Sequence, residues 1–126
     1  MSEVTINSKF KLFGTMPNGE AVYSYELKNT NGIEVKIINY GATITSLKIP
    51  LKTGNIIDVV LGLESLEDYI KSYEIGGSPY YGATVGRYSG RINQGLFTLN
   101  NKVYQLEKNL NNHSLHGGNI GFSQRI

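Results

Sequence analysis

The only two histidines of this chain, His113 and His116, lie three residues apart in the segment "NNHSLHGG". An imidazole titrates near neutral pH, so either ring could move a proton or hydrogen-bond a ligand. As zinc ligands the pair would need at least one further donor, and the sequence has no cysteine and no third histidine. We therefore expect no metal site. A solvated or backbone-bonded loop histidine is the alternative, and we expect it for His113.

A segment rich in glycine, tyrosine and arginine, "PYYGATVGRYSGRINQG", is the second candidate site. Glycines let a backbone approach a ligand closely, and tyrosines offer flat apolar faces that end in a hydroxyl. Arginine presents a fixed fork of donors to sugar hydroxyls, carboxylates or phosphates. This combination suits a polyhydroxylated ligand, although a structural loop with arginines paired to surface carboxylates has the same composition. No Gly-Lys-Ser/Thr follows, so a P-loop is not predicted.

The carboxylates form no evident catalytic pair. Asp58 lies in an apolar run that we expect to be buried, where it would need a partner or hydrogen bonds. Glu64, Glu67 and Asp68 are typical of the solvated face of a short helix. Nothing in their spacing indicates the acid and nucleophile of a glycosidase.

Composition limits the class of protein. Hydrophobic residues make up 40% of the 126 and charged residues 17%, which is typical of a globular domain. The net charge of +2 is too small to predict nucleic acid or an anionic membrane as partner. The lack of cysteine excludes a disulfide scaffold and fits a cytoplasmic protein. We expect no signal peptide in the first twenty residues and no transmembrane helix.

The residues before the glycine-rich segment alternate as strands do. "EAVYSYEL" (20–27) and residues 33–38 each place apolar side chains at every second position, and "NTNG" between them favours a turn. The two runs therefore predict a β-hairpin. A third strand runs from Gly41 to about Ile49. Its apolar positions change phase near Thr45, which predicts a bulge or a twist there.

Further elements follow Pro50. The run "IIDVVLGL" (56–63) predicts a strand buried on both faces, and "SLEDYI" (65–70) predicts one or two helical turns capped by Ser65. "LFTLNNKVYQL" predicts a hairpin closed by Asn100 and Asn101. The expected total is six or seven strands with almost no helix. The predicted fold class is all-β, an antiparallel β-sandwich.

Four motifs resemble the aldose 1-epimerase (galactose mutarotase) family in order and approximate spacing. They lie in "NGIEVKIINYGATITSLKIP", "DVVLGLESLEDY", "YYGATVGRYSGRINQGLFTLNNKVYQL" and "NNHSLHGGNIGF". The resemblance implies a supersandwich-like β-domain, of which residues 1–126 would be the incomplete N-terminal part. It also implies a cofactor-independent isomerase of carbohydrate metabolism. Such an enzyme interconverts the α and β anomers of hexoses such as galactose and glucose by acid–base ring opening.

The resemblance assigns roles to particular residues. Arg91 in "GRI" and His116 in "LHGG" match the sugar-binding arginine and histidine of the family, and Gly90 stands where the family commonly has asparagine. Around these we expect a supporting shell of four residues: Tyr81, Arg87, His113 and Gly117. The glutamate base and histidine acid of the family have no match here, so we expect no catalytic residue in this chain and no activity from it alone.

Two alternatives stay open. One is a non-catalytic sugar-binding or vestigial β-domain. The other is a fragment like a hexose-6-phosphate epimerase, in which Arg87 or Arg91 would meet the phosphate. In either case the partner is a small-molecule sugar, and neither nucleic acid nor a membrane is expected. Open sheet edges would leave the isolated chain marginally stable and able to self-associate.

Overall fold

The computed structural model describes residues 9–75 and 79–126. Outside this range lie residues 1–8, which belong to the stretch where no signal peptide is predicted, and residues 76–78, just before the glycine-rich segment. The described residues form nine strands, one α-helix and two short 3-10 turns. The elements are β1 Lys9–Thr15, β2 Ala21–Lys28, β3 Glu34–Ile38, β4 Thr43–Pro50, β5 Ile56–Asp58, α1 Leu66–Glu74, β6 Arg91–Ile92, β7 Leu96–Leu99, β8 Lys102–Gln105 and β9 Ser114–Leu115, with 3-10 turns at Asn93–Gly95 and Phe122–Gln124.

The first five strands form one antiparallel sheet in the order β1-β2-β3-β4-β5. The predicted β2–β3 hairpin is confirmed. Of the bulge or twist predicted near Thr45, the structure has the bulge: Lys36 pairs with Ser46 and Ile37 pairs with Ile44, so Thr45 is the extra residue. Strands β1, β6 and β9 were not predicted, and together they raise the count to nine, above the expected six or seven. Predominantly antiparallel strands with one helix confirm the all-β class.

Helix α1 begins where the sequence predicts. Ser65 is the N-cap, and its Oγ accepts a hydrogen bond from the Asp68 backbone N–H at 3.1 Å. The helix has nine residues, more than the six in the predicted segment. Its buried face, Leu66 and Tyr69, completes a core with residues from β2, β3 and the turn after β3. The core residues are Val22, Ile38, Tyr40, Leu66 and Tyr69.

The prediction of a doubly buried strand at residues 56–63 is wrong. Only Ile56–Asp58 is a strand, and all three residues are exposed. The physical reason is position: β5 is an outer strand that pairs with β4 alone, and no described element covers its faces. Ile56 is 59% and Leu61 77% exposed. A continuous apolar run predicts burial only when the chain also supplies the covering layer.

Asp58 obtains hydrogen bonds without burial. Its carboxylate accepts from the Ser46 hydroxyl at 2.5 Å, the Leu47 N–H at 2.9 Å and the Val60 N–H at 3.1 Å. These bonds hold the pKa of Asp58 below its usual value, and the bond from Ser46 has the largest effect. The carboxylate therefore ties the exposed edge of the sheet to β4 just beyond the bulge.

The second half of the chain is built from short pieces. The β7–β8 hairpin closes on Asn100 and Asn101, with φ of 50° and 60°, which confirms that prediction. Strands β6 and β9 form a separate two-stranded ladder. Within the described residues, no helix is long and apolar enough to cross a membrane.

Candidate functional site

The β6–β9 ladder brings three of the predicted site residues together. Arg91 pairs with Leu115 across the two strands. One step further, the His116 N–H donates to the Gly90 carbonyl at 3.0 Å, and the Gly90 N–H donates to His116 Nδ1 at 3.1 Å. Two segments that are 26 positions apart are thereby joined at the residues the sequence singled out.

The bond at Nδ1 fixes the tautomer of His116. A ring nitrogen that accepts a hydrogen bond carries no proton, so the neutral ring holds its proton on Nε2. Nε2–H is then a donor, and the side chain is only partly buried. His116 can therefore donate to a ligand oxygen, which suits a binding residue.

Arg91 is exposed and lines a groove of about 1020 Å³. Arg87 and Arg125 line the same groove, together with one carboxylate, that of Glu107. The Arg87 guanidinium lies 5.2 Å from the centre of the Phe122 ring, a cation–π distance. The groove thus combines three cationic donors with an aromatic wall.

His116 faces a second groove, of about 320 Å³, on whose lining Arg91 is absent. Tyr73, Glu74 and Tyr80 also line it. The structure therefore places Arg91 on β6 and His116 directly after its partner strand β9, while the two residues line different grooves of the described chain.

Gly117 allows the turn after His116 to cross another backbone segment. A Cβ at Gly117 would lie 1.9 Å from the Gly86 carbonyl oxygen, and the φ of Gly117 is +97°. That same oxygen accepts a hydrogen bond from the Phe122 N–H at 3.1 Å. Only glycine meets both conditions at position 117, so this residue sets how closely the two loops approach.

Of the remaining predicted residues, some line a groove and others do not. Arg87 and Gly117 line the larger groove, whereas Tyr81 is exposed and belongs to the lining of neither groove. His113 Nδ1 accepts from the Gln94 N–H at 3.3 Å. That bond connects His113 to the turn between β6 and β7. His113 belongs to the lining of neither groove.

One residue beside His116 was missed by sequence reasoning. The Tyr80 ring lies 5.0 Å from the His116 ring, centre to centre, in an edge-on arrangement. Tyr80 packs in turn on Tyr73 at 5.6 Å, and Tyr73 on Tyr40 at 6.1 Å. In "PYY" the sequence offers two neighbouring tyrosines and no periodicity that would show which one faces inward.

Tyr73 is the most perturbed group near the site. Burial raises the pKa of Tyr73 to about 12, and a hydrogen bond with Ser123 opposes that rise. The phenol therefore stays neutral through the physiological range. Across residues 9–75 and 79–126, no three His, Asp or Glu side chains gather in a way that could hold a metal ion.

Comparison with known proteins matches this chain to one family. The sequence profile of aldose 1-epimerases matches residues 23–125. Galactose mutarotase of Rattus norvegicus is 41% identical over 114 residues, and that of Sus scrofa is 39% identical over 113. Each alignment covers 90% of this chain and 32% of the relative, so the chain spans about a third of the length of these proteins.

A solved structure shows the same fold. The crystal structure of galactose 1-epimerase from Lactobacillus acidophilus NCFM superposes with a TM-score of 0.71 at 32% sequence identity. The superposition covers 94% of this chain and 32% of that one. The predicted β-sandwich class is confirmed by this similarity.

Proposed function

Because this chain belongs to the aldose 1-epimerase family, we propose that it forms the sugar-binding portion of a mutarotase for hexoses such as galactose or glucose. In this reaction a base removes the proton of the anomeric hydroxyl while an acid protonates the ring oxygen. The ring opens, the aldehyde carbon rotates, and closure on the other face gives the other anomer. A cytoplasmic location is part of the proposal, and the absence of cysteine supports it.

The observation that carries the proposal is the reciprocal hydrogen bonding of Gly90 and His116. It leaves Nε2–H of His116 as a donor in one groove, while Arg91 supplies a permanent guanidinium donor in the adjoining groove. Hydroxyl oxygens of a sugar accept from both kinds of group. The two grooves share Gly118 and Asn119 in their linings, so a sugar that spans this boundary would be held and oriented by both residues. Neither residue is assigned the proton transfers.

Gly90 distinguishes this site from that of relatives with asparagine at the same position. Where the family commonly has an asparagine, Gly90 adopts a φ of +102° and uses its backbone N–H to hold His116. No side chain at this position reaches the sugar. We therefore expect sugar affinity or preference to differ from that of relatives with asparagine.

Binding is tested by titrating the chain with galactose and following backbone amide signals by NMR. Arg91→Ala should weaken binding about tenfold or more, because a hydrogen bond from a charged donor contributes roughly 1.5–3 kcal/mol. Lys11→Ala is the control, since Lys11 is an exposed cation on β1. Equal affinity of parent and Arg91→Ala would remove Arg91 from the site.

Catalysis is tested by polarimetry on freshly dissolved α-galactose. The chain alone should not accelerate mutarotation above buffer, because none of its residues matches the catalytic glutamate and histidine of the family. Acceleration by the chain would show that a catalytic pair lies within these 126 residues.

A hexose-6-phosphate epimerase is the second candidate. It is favoured by one observation, the three arginines Arg87, Arg91 and Arg125 on one groove. Titration with glucose 6-phosphate beside galactose separates the two. Tighter binding of the phosphorylated sugar that Arg87→Ala abolishes would support the second candidate, and equal binding of both sugars would not.

The exposed β5 edge leads to a proposal on assembly. Ile57 and Val59 are 41% and 49% exposed, and β5 has an unpaired edge within the described residues. Such an edge can pair with a strand of a second copy. We expect sedimentation velocity to show self-association of the isolated chain. A monodisperse monomer that unfolds cooperatively would count against it.

A further inference from the structure

We propose that Tyr80 is a positioning residue that sets the orientation of the His116 ring. This inference deepens the proposed function and rests on it, since the orientation matters only if Nε2–H of His116 donates to a sugar. Tyr80 itself needs no contact with the sugar. It would act through His116, whose ring it touches.

The contact has the geometry that aromatic rings prefer. The two ring centres are 5.0 Å apart and the ring planes lie at 61° to each other. Edge-on pairs at this separation contribute about 0.5–1.5 kcal/mol beyond the area they bury. The arrangement is therefore a directional contact that a change of ring tilt would weaken.

One hydrogen bond is not enough to orient His116. The bond from the Gly90 N–H fixes the position of Nδ1, but the ring can still tilt about that point. Because Nε2 lies on the far side of the ring from Nδ1, any tilt changes the direction in which Nε2–H points. The Tyr80 ring closes off this movement, so the two contacts together define where Nε2–H points.

Tyr80 is itself held firmly. It packs against Tyr73, which contacts Tyr40 of the core. Tyr80 and His116 also share an uncommon backbone conformation, with φ of 51° and 52°. Left-handed residues other than glycine, asparagine and aspartate persist only where surrounding contacts determine them, and they occur often at functional sites. Here two of them touch each other.

The test compares Tyr80→Leu with Tyr80→Phe, because phenylalanine keeps the ring and leucine removes it. Tyr25→Leu is the control, an exposed tyrosine of β2 with no contact to His116. Two readouts are taken: the ¹⁵N chemical shifts of the His116 ring nitrogens, which report the tautomer, and the affinity for galactose. Amide signals of β3 and β4 report whether the sheet is intact.

In Tyr80→Leu the His116 ring should tilt and loosen its bond from the Gly90 N–H, so both ring-nitrogen shifts should move toward the average of the two tautomers. Galactose binding should weaken about threefold to tenfold. Tyr80→Phe should keep the parental shifts and an affinity within about twofold. Parental ring-nitrogen shifts in Tyr80→Leu would overturn the inference, as would equal damage by both variants. Loss of the β3 and β4 signals in Tyr80→Leu would overturn it in favour of a purely structural role.

The two readouts also separate this inference from the function it rests on. If the parent chain bound no galactose, the proposed function would fail. The ring-nitrogen shifts would still decide whether Tyr80 orients His116, because they are measured without sugar.

Discussion

Residues 9–75 and residues 79–126 are held together by different means. In the first region the fully buried side chains include large apolar ones from β2, β3 and α1. In the second, every buried residue that the structure describes is a glycine or a serine. These residues are Gly86, Gly95, Ser114, Gly118, Gly121 and Ser123. The first region therefore depends on side-chain burial, and the second on close approach of backbone to backbone.

The difference bears on where the proposed sugar site lies. A ligand site needs donors that are held in place by neighbouring groups and remain accessible to the ligand. In the second region, backbone groups come within contact distance of each other because glycines leave room. Gly90 can then use its own N–H to fix His116. A backbone hydrogen bond from the Ile44 N–H to the Gly82 carbonyl, at 2.9 Å, joins the loops of the second region to β4.

The largest effect is expected from shortening a side chain in the first region. Ile38 is fully buried, so Ile38→Ala should lower the free energy of unfolding by about 2–5 kcal/mol. Ile57→Ala is the matched control, with 41% of Ile57 exposed, and should cost about 0.5 kcal/mol or less. Urea unfolding of both variants gives the comparison. Equal costs would mean that burial does not distinguish the two positions.

The second region should be sensitive to the opposite change, the addition of a single methyl group. Gly117→Ala would place a Cβ 1.9 Å from the Gly86 carbonyl oxygen, whereas Gly54→Ala meets nothing within 4 Å. Both glycines have positive φ, +97° and +87°, so both variants carry the left-handed penalty. The difference in unfolding free energy, about 1–3 kcal/mol, isolates the backbone clash.

The same urea experiment can show that backbone contact is not what makes position 117 sensitive. If Gly54→Ala cost as much as Gly117→Ala, the penalty would come from φ alone. The close approach of Gly117 to Gly86 would then not be what holds the second region together.

The two regions also differ in how far the sequence predicts them. Period-2 alternation in residues 20–49 identified β2, β3, β4 and the bulge at Thr45, because one buried face imposes that pattern on a strand. The capping residue Ser65 likewise has a local cause, its hydrogen bond to the helix N-terminus. Such features depend on neighbours in the sequence and are visible there.

The failures have non-local causes. Residues 56–63 have the composition of a buried strand, but burial depends on a covering layer that the described residues do not supply. The β6–β9 ladder has only two residues in each strand, too few for any periodicity. Arg91 and His116 were found through family resemblance, and Tyr80 could not be distinguished from Tyr81 without the fold.

The smallest expected effect concerns Tyr73, whose ring contacts Tyr40 in the first region and Tyr80 in the second. Burial raises the pKa of Tyr73 to about 12, whereas an unfolded tyrosine ionises near its ordinary pKa of about 10. Stability from the neutral phenol is complete below about pH 10. It is lost as pH rises toward 12, because the unfolded state releases its proton first.

Tyr73→Phe carries no such proton, so it should escape that loss. Between pH 8 and pH 11, urea unfolding should show the parent losing about 1 kcal/mol more than Tyr73→Phe. Other tyrosines and lysines titrate in both proteins and cancel in the difference. Parallel pH dependence would mean that Tyr73 is as free to ionise as a surface tyrosine. The contact between the core of the first region and the loops of the second would then be open to water, and the two regions would be more independent than the structure shows.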